Sequence, residues 1–193
     1  MTRALRDSAP AAQVVFGDAL KEDLGALLRQ LPEPRAVVSN LPYYITAPLI
    51  NRIAAERAHF AKAVLMMQKE VAQRIVAREG DSARGSLSVY LQALFEIRTV
   101  ALAPAKAFLP PPKVDSMVLE FRPIIGVQDT DAFFDFVRLG FSQPRKTLAN
   151  NLSPKGKGRV MTAIEVENLS ASIRPHELSL EAWRGLYRRL TDL

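Results

Sequence analysis

Short apolar runs alternate with amphipathic stretches through the first two thirds of the chain. Gln13-Val14-Val15-Phe16 reads as a strand closed by Gly17-Asp18. Leu20, Leu24, Leu27, Leu28 and Leu31 then recur at helical spacing, which predicts a helix over 20–31, stopped by Pro32 and Pro34. Residues 35–39 form a second strand. Thr46 is placed to cap the next helix, with Pro48 in its first turn, where a missing N–H costs little. Residues 61–67 are apolar apart from Lys62, the pattern of a strand covered on both faces. Helices are predicted over 69–78, stopped by Gly80, and over 86–96 after a polar loop. Two strands follow, 97–102 and 116–121. No helix stands between them, so they form an antiparallel pair at the sheet edge.

The pattern changes after Pro123. No further strand is evident, and 131–141, 145–152, 160–169 and 180–190 read as helices. Leu180, Trp183, Leu186, Tyr187 and Leu190 give the last one an apolar stripe. The expected architecture is a βαβ series closed by a hairpin, then a small helical domain, with the boundary at 124–128. As domains, 1–124 stand against 125–193.

Composition narrows the chemistry. The chain has 193 residues, 48% hydrophobic and 24% charged, enough for one core and a small second domain. Cysteine is absent, which removes disulfides, thiolate nucleophiles and thiolate metal sites. The two histidines, His59 and His176, are far apart, with no second ligand at helical spacing, and are expected at the surface without metal. No apolar segment is long enough to span a membrane, and the polar first ten residues lack the core of a signal peptide. Net charge is +6, and residues 138–159 carry Arg138, Arg145, Lys146, Lys155, Lys157 and Arg159 with no acid among them. This is either a solvated face or a surface for a polyanion.

Asn40-Leu41-Pro42-Tyr43 closes the second strand, at the position where open α/β sheets bind ligands. The plain reading is a strand-to-loop turn. The functional one is an amide acceptor and a ring holding a planar heteroaromatic amine. Gly17-Asp18-Ala19-Leu20 is either a helix cap or an acceptor for an adenine amino group. The run from Phe108 through Pro110-Pro111-Pro112 and Lys113 to Ser116 is a polyproline connection or a stiff mount for Phe108 as a stacking ring, with Lys113 near a phosphate. Gly156-x-Gly158 is not a nucleotide fingerprint, because no strand precedes it and Met161 stands in the third position.

Taken in order, Gly17-Asp18-Ala19, Asn40-Leu41-Pro42-Tyr43, Gln68-Lys69-Glu70-Val71, Gly85-x-Leu87-Ser88-Val89, the 108–116 run and Arg145-Lys146-Thr147 resemble the KsgA family of small-subunit ribosomal RNA adenine dimethyltransferases. The resemblance extends from Val14 to the C-terminus. It implies a Rossmann-like α/β methyltransferase sheet followed by a small all-helical RNA-binding domain. The reaction it implies is S-adenosylmethionine-dependent dimethylation of two adjacent adenines near the 3′ end of small-subunit RNA, in ribosome biogenesis. Asn40, Leu41, Pro42, Tyr43 and Phe108 would form the catalytic site, and Asp18, Ala19 and Asn40 would bind the cofactor. Lys113, Arg138, Arg145, Lys146, Lys155, Lys157 and Arg159 would hold RNA. The partner implied is the small ribosomal subunit, and the protein a cytoplasmic monomer without metal or membrane. Pro144 stands where relatives often carry a basic residue, and sets a helix start.

The family has a glycine-rich cofactor loop and an acid-tipped strand before the Gly17-Asp18 strand. Only thirteen residues precede Val14 here, without glycine. The sheet is therefore expected to lack its first strands, with the Val14 strand either packed beside the Ala36 strand or poorly paired. A chain of this kind would bind S-adenosylmethionine weakly or not at all. The competing reading is a non-catalytic ribosome-assembly module. The motifs also fit a piece of a longer enzyme. They fit a large-subunit adenine methyltransferase of the antibiotic-resistance type less well, because of the 108–116 run and Gln68-Lys69-Glu70.

Overall fold

The computed structural model describes residues 11–127 and 129–191. The polar first ten residues and position 128, in the expected boundary, lie outside them.

Four strands form one sheet in the order β1-β2-β4-β3. β1 (Ala36–Asn40) runs parallel to β2 (Lys62–Gln68), with Asn40 opposite Met66. A helix joins them, as a parallel crossover requires. β3 (Phe95–Ala103) and β4 (Ser116–Pro123) are antiparallel, and β4 inserts between β2 and β3. The expected edge pair is present, and the register slips between Thr99 and Ala101.

Two expectations about the sheet fail. Residues 13–16 are not a strand but an irregular segment, with Phe16 71% exposed. A strand exists only with a hydrogen-bonded neighbour, and among the described residues nothing pairs with the far side of β1. The poorly paired outcome is the one observed. β2 is also not covered on both faces. Ala63, Leu65 and Met67 are buried while Val64 and Met66 are half-buried. Its apolar run reflects residue type, not two covering layers. The open face continues through Val38, which is 78% exposed, and reaches Arg98, Glu120 and Arg122 on β3 and β4.

The covered face carries the helices. α1 (Leu24–Arg29) is shorter than the 20–31 expected, because Asp23 caps it by accepting from the Ala26 N–H at 2.8 Å. α2 (Thr46–Ala55) buries Leu49, Ile50, Ile53 and Ala54, as its spacing predicts. Thr46 does not cap it; its hydroxyl donates back to the Pro42 carbonyl at 3.1 Å. α3 (Lys69–Val76) buries Ala72 and Ile75. α4 (Ser86–Leu94) runs directly into β3. The buried Ser88 hydroxyl accepts from Gly85 N–H and donates to the Arg74 carbonyl at 2.6 Å, so both roles of this hydroxyl are satisfied where α3 meets α4.

Beyond β4 the described elements are helical: α5 (Asp131–Gly140), α6 (Leu148–Asn151), α7 (Lys157–Val166) and α8 (Leu180–Thr191). α6 begins later than expected because Thr147, not Pro144, supplies the cap, accepting from Asn150 N–H. Trp183 on α8 is fully buried, stacked on Phe141 at 5.5 Å and edge-on to Phe136 at 6.1 Å. Its ring fills the space above Gly140, where a Cβ would come within 2.3 Å. The helices share one apolar core with the sheet. Arg84, buried in the loop between α3 and α4, adds a polar clasp by donating to the Leu178 carbonyl, while Gly80 N–H donates to the His176 carbonyl at 3.0 Å. Burial pushes the Arg84 guanidinium below its ordinary pKa, with Glu79 opposing the shift.

Candidate active site

The turn after β1 is built from the sheet upward. Leu41 is 2% exposed and pins the turn to the core, while its N–H donates to the Met66 carbonyl at 2.9 Å. Burying such a side chain contributes about 1.5–3 kcal/mol. Pro42 takes extended backbone angles, and Tyr43–Ile45 form a single 3₁₀ turn. The Pro42 carbonyl accepts from Ile45 N–H and from the Thr46 hydroxyl, which closes the turn on both sides.

This leaves two acceptors uncommitted. Asn40 is exposed at the end of β1, and its side-chain amide makes no hydrogen bond among the described residues. The Leu41 carbonyl accepts none there either. Tyr43 is half-buried, and its hydroxyl shares a 2.7 Å hydrogen bond with that of Ser116 at the start of β4. Phe108 is half-buried in the connection leading to Ser116. Its N–H donates to the Ala105 carbonyl at 3.2 Å, and Ala105 N–H in turn donates to the Asp115 carboxylate at 3.0 Å. β1, β2 and the proline-rich connection thus meet at one end of the sheet. Tyr44, 87% exposed, stands beside Tyr43 and is an aromatic that the sequence reading passed over.

Asp18 is placed differently. Its carboxylate accepts from the Leu20 N–H at 2.9 Å, and its other oxygen lies 3.9 Å from Lys21. Asp18 and Ala19 are both exposed, in a loop tied to α2 by Arg52, which donates to the Leu20 carbonyl at 3.0 Å and to the Glu22 carbonyl. The carboxylate therefore closes a local turn rather than opening a helix at residue 20.

Arg145, Lys146, Lys155 and Lys157 are exposed around the α5–α7 connections, and Lys113 is exposed on the proline-rich connection. Arg138 departs from the expected unbalanced patch, because Asp135 on the same helix forms an ion pair with it. Arg159 is engaged as well. The turn that carries Arg145 and Lys146 is held from beneath by Asn151, a buried residue that sequence reasoning missed. Its side chain accepts from Gln143 N–H and donates to the Gln143 carbonyl, both at 3.1 Å. The Asn150-Asn151 pair between Leu148 and Leu152 was the available signal: an amide on the inner side of an apolar turn needs partners. His59 is half-buried rather than fully exposed, its ring 3.1 Å from an Arg29 guanidinium nitrogen. No cluster of metal-ligating residues occurs among the described residues. No helix among them is long and apolar enough to cross a membrane.

The chain and its fold have counterparts among known proteins. A family model described as ribosomal RNA adenine dimethylase matches residues 1–192. A ribosomal RNA small subunit methyltransferase A from Streptococcus agalactiae is 37% identical, over 94% of this chain and 67% of its own length. Its counterpart from Moorella thermoacetica is 38% identical, over 98% of this chain and 69% of that protein. Among solved structures, a dimethyladenosine transferase from Plasmodium falciparum superposes with a TM-score of 0.74 and 25% identity, covering 96% of this chain and 74% of that one. The 23S rRNA methyltransferase ErmE superposes with a TM-score of 0.68 and 26% identity, covering 98% of this chain and 76% of that one. The chain belongs to the ribosomal RNA adenine dimethylase family.

Proposed function

We propose that this chain dimethylates the amino groups of two adjacent adenines near the 3′ end of small-subunit ribosomal RNA, using S-adenosylmethionine. The observation that carries the reading is the pair of open acceptors, the Asn40 amide and the Leu41 carbonyl, on a turn pinned to the core. An adenine amino nitrogen is a poor nucleophile because its lone pair is delocalised into the ring. Two acceptors facing its N–H groups draw that lone pair out of the ring and orient it. Orientation and fixed dipoles then carry the catalysis. The target adenine leaves its stack to reach the turn. Tyr43 and Phe108 hold it by stacking, worth about 1–3 kcal/mol per base.

The residues present fit the adenosine end of the cofactor. Asp18 keeps one carboxylate oxygen clear of its Leu20 hydrogen bond, suited to an adenine amino group, with Ala19 beside it. Asn40 would face the methionine end. When bound, the cofactor supplies a methyl group on an electrophilic sulfonium. Residues through 124 carry this chemistry; the helical part beyond grips the RNA backbone through Arg145, Lys146, Lys155 and Lys157, with Arg138 and Arg159 at the margin, and Lys113 on the proline-rich connection adds to that grip.

The test is methyl transfer to isolated small ribosomal subunits that lack the modification, with large subunits alongside. Transfer to adenine amino groups of the small subunit alone is the expected result. Tight subunit binding with no transfer, from a chain that calorimetry shows to bind S-adenosylmethionine, would point to a ribosome-assembly factor instead.

A further inference from the structure

The proline-rich connection ends on Asp115-Ser116, and this dipeptide is bonded to β2, β3, the start of α3, the turn before Phe108 and Tyr43. Ser116 is 1% exposed and lies opposite Gln68 of β2 and Ala103 of β3. It cannot shift without breaking the sheet on both sides. Its hydroxyl meets the Tyr43 hydroxyl at 2.7 Å, across from the turn that follows β1. The Asp115 carbonyl accepts from Lys69 N–H at 2.9 Å, which fixes the start of α3. The Asp115 carboxylate accepts from Ala105 N–H, at the base of the turn that carries Phe108.

We infer that Asp115-Ser116 is the positioning element that sets the two aromatic walls of the base site, with Ser116 orienting Tyr43 and Asp115 orienting the mount of Phe108. The inference rests on the reading of Tyr43 and Phe108 as the groups that hold the target adenine. A half-buried tyrosine held only by packing can turn about its two side-chain torsions. Fixing its para oxygen to a hydroxyl embedded in the sheet restrains the axis of the ring, and so where the ring stands beside the turn that follows β1. Neither Ser116 nor Asp115 touches the reacting atoms. Their loss therefore acts on the orientation of the bound base, which appears in kcat rather than in RNA affinity.

The experiment uses the whole chain with its four tyrosines replaced by 3-fluorotyrosine, the Tyr43 fluorine resonance being assigned from Tyr43→Phe. Without RNA, Ser116→Ala is expected to move the Tyr43 resonance and Ser116→Thr to restore it. With under-methylated small subunits, Ser116→Ala is expected to lower kcat about tenfold or more with KM within twofold. Ser116→Thr recovers most of the loss, and Tyr43→Phe combined with Ser116→Ala is no worse than either alone. Asp115→Asn, which keeps an acceptor for Ala105 N–H, is expected to stay within threefold of the parent, and Asp115→Ala to fall as Ser116→Ala does. Where Ser116→Ala does not fold, Tyr43→Phe removes the same bond from its more exposed side. An active parent whose Tyr43 resonance and kcat both ignore Ser116→Ala overturns the inference. A loss that appears equally in KM, or that Ser116→Thr leaves untouched, overturns it too. A parent that transfers no methyl group while its Tyr43 resonance still responds to Ser116→Ala overturns the proposed function instead, leaving the bond's effect on the ring standing.

Discussion

Two segments carry the polar groups of the proposed site, and they are held in opposite ways. The turn around Asn40-Leu41-Pro42-Tyr43 is fastened to β2 through the Leu41 N–H, to β4 through the Tyr43 hydroxyl and to the core through the Leu41 side chain. The loop around Asp18 has no strand behind it among the described residues, and leans on α2 through two backbone carbonyls that accept from Arg52. The first is a rigid mount whose acceptors stay open. The second is a short turn that satisfies itself, since Asp18 spends one oxygen on Leu20 N–H two residues away. A site that orients a reacting amine needs the first kind of support, because a small misplacement of the base costs rate steeply. A residue that only helps hold a cofactor's adenine tolerates the second.

Removing the floor of the rigid mount is the most damaging change. Leu41→Ala is expected to destabilise the protein by about 2–5 kcal/mol, the range for truncating a buried leucine. A denaturant melt measures it. A cost well under 1 kcal/mol would mean that the turn is as loosely held as the Asp18 loop. Asn40→Ala separates chemistry from support. Its side chain anchors nothing else among the described residues, so the melt should hold while kcat falls about 100-fold, the usual effect of losing one preorganised polar group. A loss confined to KM would place Asn40 in binding rather than in orientation.

Arg52→Ala probes the looser segment. Cutting its hydrogen bonds to the Leu20 and Glu22 carbonyls should cost about 1–2 kcal/mol. Amide exchange in residues 17–23 should speed up while exchange around β1 and β2 is unchanged. Equal acceleration at Leu41 N–H would show the two segments to be one cooperative unit and erase the contrast between them.

What was legible in the sequence divides along the same line. The Asn40 turn, α2, α3 and the antiparallel β3–β4 pair are set by local pattern and by neighbours that are present, and their positions follow from apolar spacing and turn chemistry. The 13–16 segment has the composition of a strand, yet a strand is a property of a pair, and periodicity says nothing about whether a partner stands beside it. The two-sided covering expected of β2 fails for a similar reason. An apolar residue type permits burial, but only the layers actually packed on the sheet decide it, and Val64 and Met66 stay half-buried. Tyr43 and Phe108 were legible as aromatic residues in motifs. The 73-residue separation between Tyr43 and Ser116 put their hydrogen bond beyond any local pattern. Arg138 looked uncompensated only because the basic stretch was counted from its own position, three residues past Asp135.

The smallest expected effect concerns the sheet beneath the turn. On its open face Glu120 is nearly buried, with Arg122 and Arg98 each at 2.8 Å. Hydrogen bonds from these guanidinium groups, Arg122 foremost, hold its carboxyl below the usual carboxylate range. A lowered pKa in the folded state means that the ion pair stabilises the protein above the ordinary glutamate pKa, and that this contribution disappears as pH falls through the lowered value. Glu120→Gln should therefore melt below the parent at pH 7, with the gap closing as both are titrated into acid. Glu120 sits opposite Val64, on the same strand as Met66, whose carbonyl accepts from the Leu41 N–H. If the mount is continuous with the sheet, the protection of Leu41 N–H, its exchange relative to the intrinsic rate at each pH, should fall into acid in the parent and not in Glu120→Gln, while the protection of residues 17–23 stays level in both. Were 17–23 to respond and Leu41 not, support would flow to the Asp18 loop instead, and the rigid mount would have to be sought in the β4 side of the Tyr43 bond alone.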